Sequence, residues 1–171
     1  MRALRCKSLG AMEHLCVESV TAPIPGEGQV RLLVCTAGVN FPDYLVVNGQ
    51  YQFDAKPPFT PGAEVAGWVE SVGPGGKSLR PGDRGLHIGV VGGMAEMTVV
   101  PAAECIPVPD GTSLRMAATL GMAYGTTIYA LEARAALQPG ETLAVLGAAG
   151  GVGLAAVKIG RAMGARVIAA A

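Results

Sequence analysis

Short apolar runs, many of them alternating with polar positions, follow one another along the chain to about residue 110. Pro and Gly separate the runs, as in "APIPGEG", "GPGG" and "RPGD". These are turn signals, because Pro fixes φ and Gly tolerates a positive φ. Many short strands divided by turns favour a closed or nearly closed β structure. The predicted strands are Arg2 to Cys6, Cys16 to Ser19, Gln29 to Ala37, Glu64 to Val72, Arg84 to His87, Ala95 to Pro101 and Cys105 to Pro107.

The pattern changes after "PVPDGTS" to Ala-rich segments with helical spacing. Asp110, Thr112 and Ser113 offer N-cap oxygens to a helix over "LRMAATLGM", and a second helix is predicted over "YGTTIYALEARAAL". From Glu141 a strand ("TLAVL"), a glycine-rich turn, a helix ("LAAVKIGRAMG") and a second strand ("RVIAAA") follow one another. We therefore predict two domains, residues 1–120 and residues 121–171.

Three glycines, Gly147, Gly150 and Gly153, form the pattern G-x-x-G-x-x-G between that strand and that helix. A tight turn after a strand lets the backbone approach a pyrophosphate, whose charge is met by free N–H groups and the positive end of the helix dipole. A glycine-rich turn without a ligand is the simpler alternative, but its place between a strand and a helix favours a dinucleotide site. The residue that selects NAD or NADP in such folds is expected at about residue 172 or later.

Composition argues against some classes of partner. Half of the residues are hydrophobic and 15% are charged, and 13 Lys plus Arg balance 13 Asp plus Glu without runs of either sign. We therefore expect no binding to nucleic acid or to a membrane surface. The apolar runs are too short to span a bilayer and no signal core follows Met1, so we expect a cytoplasmic protein. The excess of apolar residues predicts association, with a homo-oligomer as the expected form.

The cysteines and histidines lack the spacing of metal ligands. The cysteines stand singly, without a C-x-x-C pair, at Cys6, Cys16, Cys35 and Cys105, and the two histidines are His14 and His87. We therefore predict no metal site. Reduced thiols within apolar strands are the expected state of the cysteines, and both histidines are interpreted as structural.

Longer segments carry a family resemblance. They are "PGEGQVRLLVCTAGVNFPDYLVVNGQY", "PFTPGAEVAGWVESVGPG", "PGDRG", "GMAEMTVVP" and "GTTIYALEARAALQPGETLAVLGAAGGVGLAAVKIGRAMGARVIAAA". Together they resemble the zinc-independent quinone oxidoreductase branch, the relatives of zeta-crystallin, of the medium-chain dehydrogenase/reductase superfamily. The resemblance implies a GroES-like β-barrel, which carries the substrate side, followed by the first βαβ unit of a Rossmann domain. By that comparison we expect a truncated form that lacks roughly the second half of a full-length member.

The resemblance also implies that catalysis does not use zinc. The zinc alcohol dehydrogenases of the same superfamily have Cys where this chain has Asn40 and His where it has Ala63, and Glu64 alone remains. An amide or a methyl group cannot replace a thiolate or an imidazole as a zinc ligand. The four-cysteine structural zinc loop is missing from the sequence as well. We therefore expect no catalytic zinc.

Positions that match family residues imply the members of a site. Asn40 and Tyr51 are expected to hydrogen-bond to substrate or cofactor, whereas Asp43 either joins them or holds the loop in place. Thr126 matches a threonine beside the cofactor. The expected catalytic residues are Asn40, Asp43 and Tyr51, and the expected cofactor-binding residues are Thr126, Gly147, Gly150, Gly151, Val152 and Gly153.

Each of the polar candidates also has a purely structural interpretation. Asn40 and Asp43 are typical of turns, where their side chains bond to nearby backbone. Tyr51 is able to cover an apolar rim, and Thr126 is able to cap a helix. Some relatives have a Tyr where this chain has Leu45, so the shape of the substrate pocket is expected to differ.

The implied function is hydride transfer from NADPH to a quinone or an activated alkene. Without a Lewis acid, such a reductase holds its substrate against the nicotinamide and depends on orientation and polar contacts. NADH is not excluded as the cofactor. The alternatives are an enoyl-thioester reductase of the same superfamily and a non-catalytic binding or assembly module. For the 171-residue chain by itself we favour no catalysis.

Overall fold

The computed structural model describes residues 1–76 and 79–171, which form two compact units, Met1–Thr119 and Leu120–Ala171. The units divide one residue before the predicted boundary. The first unit contains β1 (Arg2–Cys6), β2 (Leu15–Ser19), β3 (Gln29–Gly38), α1 (Phe41–Val47), β4 (Glu64–Val72), β5 (Arg84–Ile88), β6 (Met97–Pro101), β7 (Ile106–Pro107) and α2 (Leu114–Ala117), with 3₁₀ turns at Met12–His14 and Ala102–Glu104.

Five strands of the first unit form an antiparallel sheet in the order β6-β3-β4-β5-β7. The long strand β3 lies between β4 and β6, so that Leu32 stands opposite both Val69 and Thr98. Because side chains alternate between the two faces of a strand, every second residue turns inward. The resulting core consists of Val30, Leu32, Val65, Val69, Leu79, Val100, Ala102 and Cys105.

The strands β1 and β2 pair as a separate antiparallel hairpin. Single bridges from Ala3 to Ala95 and from Cys6 to Phe59 connect this hairpin to the rest of the first unit. All seven strands predicted for this part of the chain are present, and β1 and β4 have the predicted bounds. The prediction of many short strands separated by turns is therefore confirmed, and they form the five-stranded sheet and the separate hairpin rather than one closed sheet.

The helix α2 begins as the sequence predicts but ends early. Ser113 is its N-cap, and the Ser113 hydroxyl accepts the backbone N–H of Met116 at 3.1 Å. The helix ends at Ala117, so the prediction of a helix over the whole of "LRMAATLGM" was wrong. Just past this end, the Thr119 hydroxyl donates to the Met116 carbonyl at 2.9 Å, a local bond of the kind that competes with helix continuation.

The second unit is a helical segment followed by a strand, a helix and a strand. The helical segment consists of π-helical residues Gly121–Gly125, α3 (Thr126–Ile128) and π-helical residues Tyr129–Arg134, and β8 (Thr142–Leu146), α4 (Gly151–Ala162) and β9 (Arg166–Ala170) follow it. The strands β8 and β9 pair in parallel, with Val145 opposite Ala169. The helix α4 begins at Gly151, earlier than the predicted start at Leu154.

Gly160 lies where α4 packs on β8. A Cβ at Gly160 would lie 2.6 Å from Cδ2 of Leu143 on β8, so the Leu143 side chain would have to shift to accommodate it. Leu146, the last residue of β8, is 84% exposed. Among the described residues, no helix is long and apolar enough to cross a membrane.

Candidate active site

Asn40 is the N-cap of α1 and lies two residues after the end of β3. Its backbone N–H donates to Oδ2 of Asp43 at 2.7 Å, and the backbone N–H of Asp43 donates to the Asn40 carbonyl at 3.0 Å. This reciprocal pair closes the first turn, while Pro42 occupies an early position that needs no N–H partner. The sequence pattern indicates a turn and no helix over this segment, so α1 corrects that prediction.

Asp43 connects α1 to the segment before β4. Its side chain is 5% exposed, and its Oδ1 accepts the backbone N–H of Ala63 at 2.9 Å. Burial raises the pKa of the Asp43 carboxyl, and the N–H groups of Asn40, Ala63 and Gly62 oppose that rise. Asp43 thus holds two chain segments together, and both of its oxygens accept backbone N–H groups.

A second buried carboxylate contacts the side chain of Asn40. Nδ2 of Asn40 donates to Oε2 of Glu64 at 3.2 Å, and Glu64, the first residue of β4, is 1% exposed. A Cβ at Gly38 would lie 2.8 Å from that Oε2 and 2.5 Å from the Ala118 carbonyl oxygen. Glu64 was not among the residues predicted for the site. A charged residue inside the apolar "PGAEVAGWV" was the available signal.

Tyr51 lies in an apolar cluster beside α1. Its half-buried ring packs against buried side chains from β1, α1 and the following loop, namely Cys6, Val46, Val47, Ala55 and Phe59. Within residues 1–76 and 79–171, no hydrogen bond to its hydroxyl is found, so the hydroxyl keeps its capacity to bind a ligand. The position of Tyr51 is therefore compatible with two roles, covering an apolar rim with its ring and contacting a ligand with its hydroxyl.

A cavity of about 260 Å³ lies in the first unit at Asn40 and Asp43. Its walls are otherwise mainly apolar and are formed by Leu4, Met12, Leu15, Val39, Tyr44, Val47, Pro61 and Met94. Both Asp43 oxygens are engaged by backbone N–H groups. Among the other lining residues, Asn40 and Tyr44 are the ones whose side chains carry a polar group.

The glycine-rich turn has the backbone shape that an anion site requires. Gly147 follows β8 with φ +72°, a conformation that favours glycine, and Gly150 is the N-cap of α4. A Cβ at Gly153 would lie 2.9 Å from the Ala148 Cα and would collide with the Gly147 carbonyl oxygen. The first helical bond is donated by Leu154, to the Gly150 carbonyl at 2.7 Å.

Because the N–H groups at the start of a helix have no partner within that helix, they are able to meet an anion there. In α4 these groups belong to Gly151, Val152 and Gly153, and the Val152 side chain is half exposed. The predicted cofactor residues between 147 and 153 thus form one continuous turn and helix start. Their shape fits a pyrophosphate.

The two threonines that precede this turn differ in their surroundings. Thr126 is exposed and lies inside the helical segment, where it starts α3 after the helical Gly125, so the capping interpretation is wrong. Thr127 is 2% exposed, and its hydroxyl lies 2.8 Å from the Ala123 carbonyl oxygen and 3.3 Å from that of Val152. Thr127 therefore connects the helical segment to the first turn of α4, a role that was not predicted from the sequence.

Candidate metal ligands are dispersed. Among the described residues, no group of three or more His, Cys, Asp or Glu side chains is placed to hold a metal ion. Nδ1 of His14 lies 3.1 Å from the Ser8 carbonyl oxygen, and Nδ1 of His87 lies 3.4 Å from that of Glu104. All four cysteines are free thiols, and burial raises the pKa of Cys105 to about 11.

A comparison with protein families matches residues 26–110 to the alcohol dehydrogenase GroES-like domain. Among curated proteins, the chain is 41% identical over 171 residues to quinone oxidoreductase-like protein 2 of Bos taurus, covering 99% of this chain and 48% of that protein. It is 43% identical to part of the polyketide synthase GfsB of Streptomyces halstedii, covering 98% of this chain and 3% of that protein. The chain thus spans about half the length of its quinone oxidoreductase-like relative.

Solved structures of a quinone oxidoreductase and an enoyl reductase are also similar to this chain. The quinone oxidoreductase of Thermus thermophilus, also solved in complex with NADPH, superposes with a TM-score of 0.86 at 38% identity, over 99% of this chain and 52% of that one. The CurK enoyl reductase superposes with a TM-score of 0.90 at 28% identity, over 99% of this chain and 54% of that one. The predicted fold, a GroES-like β unit followed by the first βαβ unit of a Rossmann domain, is confirmed.

Proposed function

Because the chain belongs to the quinone oxidoreductase branch of the medium-chain dehydrogenase/reductase superfamily, we propose that it takes part in hydride transfer from NADPH to a quinone or an activated alkene. The observation that carries the proposal is the glycine turn between β8 and α4, where Gly153 leaves room for no side chain. Such a turn suits close approach of a pyrophosphate to the backbone.

The chain's own residues supply the binding of the cofactor in this proposal. The N–H groups of Gly151, Val152 and Gly153 at the start of α4 would meet the pyrophosphate, and Thr127 holds the helix start in place through the Val152 carbonyl. Thr126 is exposed and so is free to contact the cofactor. When bound, NADPH supplies the hydride from its nicotinamide ring. NADH remains the alternative donor, to be measured alongside.

The first unit supplies the substrate side. The cavity at Asn40 is lined mainly by apolar side chains, which suits a small uncharged molecule such as a quinone or an enone. Asn40 stands where zinc enzymes of the superfamily have a thiolate ligand, so we assign it hydrogen bonding and orientation and no metal binding. Tyr51 is the second candidate for a hydrogen bond to substrate or cofactor.

The first experiment is a calorimetric titration of the 171-residue chain with NADPH and, in parallel, with NADH. Saturable binding of NADPH supports the assignment of the glycine turn. Catalysis is then measured on the complete gene product that contains these residues, as NADPH oxidation that depends on added quinone or enone. Absence of such oxidation in the complete gene product contradicts the proposed function.

An enoyl-thioester reductase is the second candidate. Two observations favour it, the 43% identity to a stretch of a polyketide synthase and the superposition on the CurK enoyl reductase. Turnover of a crotonyl thioester is compared with turnover of a quinone by the same preparation. Preference for the thioester selects this candidate, and absence of thioester turnover removes it.

A further inference from the structure

The side-chain amide of Asn40 faces a carboxylate that does not reach solvent. Nδ2 of Asn40 donates to Oε2 of Glu64 at 3.2 Å, and Glu64 is 1% exposed. A carboxylate oxygen accepts hydrogen bonds, whereas an amide has a donor end and an acceptor end. The NH₂ end faces Glu64 in the structure, and the reverse orientation would place the amide oxygen against Oε2 of Glu64. Glu64 thus distinguishes between the two ends of the amide.

Neither partner is free to move away from this contact. Glu64 begins the central strand β4 and pairs with Gly38 on one side and with Ile88 on the other. A Cβ at Gly38 would lie 2.8 Å from Oε2 of Glu64, so the carboxylate occupies the space that a side chain there would need. The backbone of Asn40 is held by Asp43 through the 2.7 Å bond from its N–H. The amide therefore meets a fixed acceptor from a fixed backbone position.

Asn40 is half-buried, and it lines the cavity in the first unit as well as contacting Glu64. With the NH₂ end bound to Glu64, Oδ1 is the end of the amide that faces the backbone N–H of Asp43 in the capping box of α1, and an amide oxygen has a second lone pair for a ligand. We propose that Glu64 is a positioning residue that fixes the orientation of the Asn40 amide, so that Oδ1 accepts a hydrogen bond from an N–H or O–H group of the ligand. The inference rests on the proposed function, in which Asn40 contacts substrate or cofactor.

The orientation is tested by NMR on the ¹⁵N-labelled 171-residue chain, which requires no activity. The side-chain NH₂ resonances of Asn40 are assigned by their loss in Asn40→Ser, since Ser also serves as an N-cap. Glu64→Gln keeps the shape of the side chain but offers a donor as well as an acceptor, so it no longer distinguishes between the amide ends. Glu64→Asp keeps the carboxyl group but shortens the side chain, and it replaces Glu64→Gln if the latter does not fold.

In the wild-type chain we expect the Asn40 NH₂ protons to exchange with solvent slowly, and in Glu64→Gln we expect exchange to accelerate about tenfold, with shifted resonances. Glu70→Gln is the matched control, because Glu70 lies on the same strand but is exposed and pairs with Arg31 at 2.7 Å. It should leave the Asn40 resonances unchanged. Unchanged shifts and exchange of the Asn40 NH₂ group in folded Glu64→Gln would overturn the proposal.

The functional consequence is measured on the complete gene product. If Glu64 orients Asn40, Glu64→Gln lowers kcat/KM for the quinone about tenfold, while the midpoint of thermal unfolding stays near that of Glu70→Gln. A parallel loss of stability and activity would assign Glu64 a structural role and overturn the positioning role. Absence of quinone turnover in the wild-type gene product counts against the proposed function, and the NMR result then decides the orientation by itself.

Discussion

The carboxylate of Asp43 accepts the backbone N–H of Ala63 at 2.9 Å, across 20 residues of sequence. Its other oxygen accepts the N–H of Asn40 at 2.7 Å. One buried side chain thereby fixes both the start of α1 and the approach to β4. Asn40 is one of the two residues whose N–H groups Asp43 accepts, and Glu64 directly follows the other, Ala63. Asp43 therefore fixes the backbone positions from which Asn40 and Glu64 meet.

Removal of the Asp43 carboxylate should destabilise the first unit. In Asp43→Ala the N–H groups of Asn40 and Ala63 lose their acceptor within a buried region, so we expect a loss of about 2–4 kcal/mol in the free energy of unfolding. Urea denaturation of the 171-residue chain measures it. The control is Asp54→Ala, which removes an exposed ion pair with Lys56 and should change stability by about 0.5 kcal/mol or less. Equal losses in the two variants would contradict this interpretation of Asp43.

The pH dependence of stability should carry the signature of Asp43. Burial raises its folded-state pKa above the ordinary value of 3.8. The folded state therefore holds the Asp43 proton more tightly than the unfolded state does. The stability contributed by Asp43 is fully present below pH 3.8 and is lost as pH rises through the folded-state pKa.

The measurement is the difference in unfolding free energy between wild type and Asp43→Asn, followed from acid to neutral pH. Because Asn does not titrate, the unfolding free energy of the wild type should fall relative to that of Asp43→Asn as pH rises. A difference that is constant with pH, or that moves in favour of the wild type, would show that the folded-state pKa of Asp43 is not raised.

The local sequence pattern predicted much of the fold but only part of the site. Alternation located the strands, and "TLAVLGAAGGVG" located the glycine turn, because both signals lie within a few neighbouring residues. Such local signals could not predict the contact between Asp43 and Ala63, because no residue near Asp43 in the sequence indicates which distant N–H its carboxylate will accept. The same limit applies to Glu64, whose burial follows from its place at the start of a central strand.

Helices were harder to predict than strands in this chain. The helix α1 has seven residues, with Pro, Tyr and two Val among them, so helix propensity gave no signal. Its existence depends on the capping contact between Asn40 and Asp43 and on packing of Val46 and Val47 into the apolar cluster. In "LRMAATLGM" the opposite error occurred, because a sequence rich in helix formers ends as a helix after four residues.

Gly153→Ala should weaken cofactor binding. The added methyl group would collide with the Gly147 carbonyl oxygen and approach the Ala148 Cα at 2.9 Å, so the turn must open. We expect the Kd for NADPH to rise about tenfold or more, measured by calorimetry. Gly125→Ala is the matched control, because a Cβ at that exposed helical position meets nothing within 4 Å. Equal NADPH affinities in these two variants would contradict the assignment of the glycine turn.

The adjacent threonines make a pair of variants that separates packing from binding. Thr127→Val keeps the shape of a buried side chain but removes the hydroxyl that lies near the carbonyl oxygens of Ala123 and Val152. Both carbonyls lie in helical segments and the Ala123 carbonyl keeps the N–H of Thr126, so the loss of the hydroxyl bond alone should cost about 0.5–1.5 kcal/mol in the free energy of unfolding. Thr126→Val changes an exposed side chain, so its effect on stability should stay within about 0.5 kcal/mol.

NADPH titrations of the same two variants complete the comparison. If Thr126 contacts the cofactor, Thr126→Val raises the Kd for NADPH several-fold while unfolding is unchanged, because a hydroxyl contact is lost without a change in packing. Thr127→Val should raise the Kd only through a loosened start of α4, and so together with its loss of stability. An unchanged Kd in Thr126→Val would remove Thr126 from the proposed cofactor site. Among the described residues of the second unit, the glycine turn would then be the only feature that supports cofactor binding.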